Sequence, residues 1–161
     1  DILKVASLEI MTEASKGVFA PDLNITRGEF VATVNKAIGI SASKYKNFAK
    51  DITSTTPNAD AIQGAYEKGL INRQLLVGQK FYPTSAITIE EALAILSNAA
   101  AIKNITGEGA KAQNAKNVSN WAKEDVDKAL LLGLDFENDF DAKDYLTRAE
   151  AAHIVSKLIK Q

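Results

Sequence analysis

The chain has 161 residues, 46% hydrophobic and 24% charged, with a formal net charge of -1. That balance allows a core and a soluble surface, and it supplies no broad positive field for nucleic acid or an anionic membrane. Cysteine is absent, which excludes disulfides and thiolate metal sites, and no apolar run approaches the roughly 18 residues of a membrane span.

The chain opens on an amphipathic pattern, Ile2, Val5, Ala6 and Ile10, with no leader ahead of it. This reads as a helix at a processed or trimmed start. Phe19-Ala20-Pro21 follows as a loop, and Thr26-Arg27-Gly28-Glu29 then opens a second helix. Thr-x-x-Glu before an apolar run is a capping box, worth about 0.5–2 kcal/mol per helix. Its apolar stripe, Phe30, Val34 and Ile38, steps by four. A polar linker runs from Ser41 to Thr56.

The same order then returns. Ile62, Ala65, Tyr66, Gly69 and Leu70 predict a helix ending at glycine. Phe81-Tyr82-Pro83 is its loop, and Thr88-Ile89-Glu90-Glu91 caps a helix with the stripe Ala92, Leu96 and Ala100. A second linker covers Asn104 to Asn120, with Gly107-Glu108-Gly109 as its flexible point. Val126, Ala129, Leu130, Gly133 and Leu134 begin a third copy. Phe140, Thr147-Arg148-Ala149-Glu150 and the stripe Ala151, Val155 and Ile159 complete it. The three Thr lie 62 and 59 residues apart, and each Phe precedes its Thr by seven. Such a period marks a repeat array. The predicted fold is all-α: one module over 1–161 with helix-loop-helix repeats at about 1–40, 41–103 and 104–161. No single repeat buries its stripe alone, so the three share one core.

Capping explains Thr and Glu but leaves Arg27 and Arg148 unexplained. A cation in the first turn of a helix faces the positive end of the dipole and costs about 0.3–1 kcal/mol. A guanidinium beside free helix N–H groups suits a carboxylate or phosphate. The competing reading is two solvated arginines at helix starts.

Other constellations carry less. Asp135, Glu137, Asp139, Asp141 and Asp144 lack the Gly at position six and the frame of a calcium loop, so they read as a solvated acidic loop. His153 is the single histidine and has no partner for zinc or nucleophilic chemistry. Trp121 is either a sugar-stacking platform or a core residue under the second linker. Tyr45, Tyr66, Tyr82 and Tyr145 are further candidates to line grooves. Glycoside hydrolysis needs paired carboxylates across a cleft, and Glu29, Glu91 and Glu150 are taken by the caps.

The run from Phe19 to Glu29, reading Phe-Ala-Pro-Asp-Leu-Asn-Ile-Thr-Arg-Gly-Glu, resembles the S-layer homology domain, a family that occurs as three tandem repeats. Leu146-Thr147-Arg148-Ala149-Glu150 resembles it again, as does Trp121-Ala122 four residues before Val126. The resemblance covers nearly the whole chain. It implies a pseudo-threefold spindle around a central three-helix bundle of first helices, with the second helices as prongs. It implies grooves between repeats that bind the secondary cell-wall polymer of Gram-positive bacteria, often through a pyruvate ketal on N-acetylmannosamine. The family's arginine contacts the pyruvate carboxylate, so Arg27 and Arg148 are the expected clamps. Phe48-Ala49-Lys50-Asp51 matches the family's Phe-x-Asp opening with one extra residue, which adds Asp51, and Trp121 joins as a groove residue.

Three departures stand out. Ile89 replaces the arginine of copy two, Pro57 replaces its opening Trp, and Asn117-Val118-Ser119-Asn120 lacks the aspartate in copy three. Copy one lacks that opening, as if a preceding segment were lost. The expected protein is an extracellular, non-enzymatic anchor at the bacterial cell wall or S-layer, without cofactor or metal, binding an anionic pyruvylated polysaccharide. It is a monomeric module, or one within a self-assembling surface protein. The alternative is a protein-docking module whose arginines meet a partner's Asp or Glu.

Overall fold

The computed structural model describes residues 10–11, 18–106, 115–134, 136 and 139–160. The Ile2 to Ala6 pattern, Gly107-Glu108-Gly109, Asp135 and Glu137 lie outside them. The described chain is mostly helical. Its helices are α1 (Arg27–Ile38), α2 (Ala59–Glu67), α3 (Ile89–Ile102), α4 (Lys123–Leu131) and α5 (Arg148–Lys160). A single 3-10 turn spans Arg73–Leu75. Two strands of two residues, β1 (Ala115–Lys116) and β2 (Phe140–Asp141), pair in parallel, an addition to the helical expectation.

All three capping boxes form. The Glu29, Glu91 and Glu150 N–H groups donate to Thr26, Thr88 and Thr147 Oγ1 at 3.2, 3.4 and 3.2 Å. Each Glu carboxylate accepts from the N–H of its Thr at 2.8–3.0 Å. The first two N–H groups of each helix also find acceptors, and every acceptor lies in a distant turn. Arg27 and Gly28 donate to Ser85 and Pro83, Ile89 and Glu90 to Asp144 and Ala142, and Arg148 and Ala149 to Leu23 and Pro21. The free helix N–H groups invoked for an anion are therefore corrected: carbonyl oxygens hold them.

The helix ends follow the glycines. Leu70 N–H donates to Ala65 O and Gly69 N–H to Tyr66 O, with Gly69 at φ 78. Leu134 and Gly133 repeat this on Ala129 and Leu130, with Gly133 at φ 74. Both are Schellman ends, where the left-handed residue is least strained as Gly.

Three backbone bonds join the copies in a closed ring. Ile25 N–H donates to Leu146 O (3.0 Å), Leu146 N–H to Ile87 O (3.0 Å), and Ile87 N–H to Ile25 O (3.1 Å). Ile25, Ile87 and Leu146 are fully buried. Below the ring, α1, α3 and α5 pack on one another, while α2 packs on α1 and α4 on α3. Among the described residues it is the capped helices α1, α3 and α5 that contact one another; the first helix of copy one, which the resemblance places in a central bundle, lies outside those residues. The physical reason for the packing of the capped helices is visible in α3, where Leu93, Ala94, Ile95 and Leu96 are all buried, so it is apolar on every side and must be enclosed.

The first linker is strapped across α2. Ser41 O sits 2.3 Å from where a Cβ on Gly64 would fall, so the crossing requires glycine. Glu67 accepts from Ser43 Oγ (2.8 Å) and Gln63 Nε2 (3.0 Å) and pairs with Lys46 Nζ (2.7 Å). The Lys46 hydrogen bond, with help from Ser43 and Gln63, holds the Glu67 pKa at about 2. A depressed carboxylate contributes stability above its ordinary value of 4.5 and loses it as pH falls toward about 2. Amide-exchange protection at Ser43 and Lys46 should therefore fall across that window, modestly because the pair is exposed. Glu67→Gln should flatten the dependence, and protection that is flat in the unaltered chain would contradict the strap.

Candidate functional site

Arg27 opens α1 and is 4% exposed. Its Nε donates to Phe81 O at 2.6 Å and its Nη2 to Leu75 O at 2.9 Å. Nη1 pairs with Glu91, the capping glutamate of α3. The guanidinium lies 4.8 Å from the Phe81 ring centroid. Arg148 opens α5 and is built alike, at 3% exposed. Its Nε donates to Phe19 O at 2.8 Å, it sits 5.0 Å from the Phe19 centroid, and Nη1 is 3.8 Å from Glu29 Oε1. Each arginine thus reaches from its own helix start to the Phe loop of another copy and to that copy's capping glutamate. The solvated-arginine reading is excluded by their burial.

Ile89 breaks the pattern in the third sector. It is buried and brings no cation toward Glu150. A cleft of about 770 Å³ opens here, lined by Ile89, Phe140, Asp144, Tyr145, Glu150 and His153. The backbone N–H of Lys143, the Asn117 amide and nearby lysines keep the adjoining Asp141 carboxyl below its usual range. Among the described residues, no group of three or more His, Asp or Glu side chains is placed to hold a metal ion.

Asp51 converges with Arg27 on one loop. Its Oδ1 accepts the Phe81 N–H at 2.9 Å and its Oδ2 the Tyr82 N–H at 2.6 Å. Arg148 serves the separate Phe19 loop. Trp121 is half-buried and packs against the core. Phe48 and Tyr66 stack at 4.1 Å with rings 8° apart, and Tyr45 leans on Phe48 at 5.9 Å. Tyr82 and Tyr145 are 43% and 56% exposed.

Glu90 was missed by sequence reasoning. It is buried, and it accepts from Ser119 N (2.8 Å), Ser119 Oγ (2.9 Å) and Lys143 Nζ (2.5 Å). It ties the second linker and the Phe140 loop to α3. The available signal was a carboxylate where the other copies carry Gly28 and Ala149.

Residues 1–31 match the family model of the S-layer homology domain. The chain carries an S-layer homology domain. It is 32% identical, over its whole length, to an exoglucanase XynX of Acetivibrio thermocellus, of which it covers 15%. It is 31% identical, again over its whole length, to an amylopullulanase of Thermoanaerobacterium thermosulfurigenes, of which it covers 9%. An endoglucanase of Bacillus sp. strain KSM-635 is 27% identical over 94% of the chain, which covers 16% of that protein. The chain thus spans a small fraction of these relatives, and the catalytic activities in their names stay with them. The S-layer homology domain is a non-catalytic module of the bacterial cell surface associated with cell-wall polymer, which assigns the chain to the cell wall. No helix among the described residues is long and apolar enough to cross a membrane.

Proposed function

We propose that this chain is a noncovalent anchor that binds an anionic, pyruvylated secondary cell-wall polysaccharide in grooves between three repeats. The repeats, at about 1–40, 41–103 and 104–161, form a pseudo-threefold spindle. The closed ring of Ile25, Ile87 and Leu146 and the three matching helix starts support that arrangement. The observation that carries the binding proposal is the twinned unit of a buried arginine under a Phe loop, present at Arg27 and Arg148 and absent at Ile89.

Each guanidinium is already fixed on a carbonyl oxygen, so little order is lost when a ligand carboxylate arrives. That carboxylate competes with a glutamate for Nη1. Glu29 is the looser competitor, at 3.8 Å and with 38% of its side chain exposed. Glu91 has a closer contact and is 21% exposed. Of the two glutamates, Glu29 is therefore the more easily displaced. Asp51 shapes the Phe81 loop, and the half-buried Trp121 contributes beside the second linker.

The test is co-sedimentation with Gram-positive sacculi before and after acid extraction of the polymer. The unaltered chain should pellet only with intact polymer, Arg148→Ala should pellet weakly, and Ile89→Ala should pellet nearly as well as the unaltered chain. Pelleting that survives extraction would move the target to peptidoglycan or protein. An Ile89→Ala loss as deep as that of Arg148→Ala would remove the arginine unit as the basis of binding.

A further inference from the structure

The loop over Arg27 contains a backbone conformation that its residue type avoids. Tyr82 has φ 55, in the left-handed region. For an L residue with a bulky side chain this is strained, and strain of this kind collects at ligand-binding positions. The corresponding residue of the first loop, Ala20, has φ 50. Both open the same turn: Ser85 N–H donates to Tyr82 O at 3.1 Å, and Leu23 N–H to Ala20 O at 3.2 Å. The turn is thus made with a methyl side chain in one copy and needs no aromatic ring. Nor does burial account for the residue, which is 43% exposed.

The peptide joining Phe81 to Tyr82 is held at both poles. Its carbonyl oxygen accepts Arg27 Nε at 2.6 Å, and its N–H donates to Asp51 Oδ2 at 2.6 Å. The preceding Val77–Lys80 hairpin, with Gly78 and Gln79 both at positive φ, carries Lys80 so that its Nζ lies 6.0 Å from the Tyr82 centroid. A half-exposed aromatic ring is therefore held in place with an ammonium over it.

We infer that Tyr82 is a stacking residue for a sugar ring of an acidic glycan, with Lys80 meeting the sugar's acid group and the Arg27–Asp51 clamp fixing the ring's orientation. The apolar face of a pyranose packs on the tyrosine ring, and the acid group meets the ammonium that lies over that ring. This rests on the glycan-binding reading above and assigns a subsite within it.

The test compares the unaltered chain, Tyr82→Gly and Tyr82→Phe in binding to polymer extracted from sacculi and in thermal unfolding. Glycine relieves the left-handed strain, so Tyr82→Gly should raise Tm by about 2–4 °C while weakening binding about tenfold. Tyr82→Phe keeps the stacking face and should bind within about twofold of the unaltered chain. Binding by the unaltered chain and by Tyr82→Gly with equal affinity overturns the Tyr82 assignment and leaves the glycan reading standing. A lowered Tm in Tyr82→Gly makes the ring a structural element and overturns the assignment as well. Failure of the unaltered chain to bind polymer overturns the glycan reading, and this assignment with it.

Discussion

Arg27→Ala is expected to lower unfolding stability by about 3–5 kcal/mol, the range for removing one partner of a buried ion pair. For a chain of 161 residues this is a Tm drop of about 10 °C. Three losses act together. Phe81 O and Leu75 O lose their donors, and Glu91 loses its cation. The capping box of α3 is touched as well, because the Glu91 carboxylate serves both the arginine and the Thr88 N–H. Polymer binding should also fall, measured well below the new Tm so that unfolding does not imitate it. Adding Glu91→Gln should recover part of the stability, since the uncompensated charge is then gone. A Tm within about 2 °C of the unaltered chain would show that the pair contributes little to folding.

Glu90→Ala is expected to cost about 2–4 kcal/mol by leaving the Ser119 N–H and hydroxyl without their acceptor. Lys143 is half exposed and can turn to water, so Lys143→Ala should cost about 1 kcal/mol or less. Thermal unfolding gives the ranking, and amide exchange at Ser119 reports whether the linker detaches. Equal losses in the two variants would mean that the ion pair, rather than the backbone acceptor, holds the linker.

Much of this fold was legible because its signals are local. A capping box joins residues three apart, a buried stripe repeats every four, and a Schellman glycine closes the helix that precedes it. Thr26, Thr88 and Thr147 announced three helix starts, and Gly69 and Gly133 announced two helix ends. Each of these needs only its own segment to form. The arginines were flagged for the same reason, since a cation at the first turn is locally unfavourable and asks for an explanation.

The explanation itself was out of reach of the sequence. Arg148 donates to a carbonyl 129 positions away and Arg27 to carbonyls 48 and 54 away, and a backbone oxygen has no residue-type signature. Asp51 was picked for its place in a motif, while its partners, the N–H groups of Phe81 and Tyr82, are 30 and 31 residues distant. Sequence alone determined the helix starts, the period, the family resemblance and the odd position of Ile89, because spacing encodes them. Tertiary structure decided which of the described helices pack on one another, that the helix N–H groups are already satisfied, and that the arginines are buried. Those outcomes depend on which backbone carbonyls ring closure brings within 3 Å, and backbone groups are the same in every sequence.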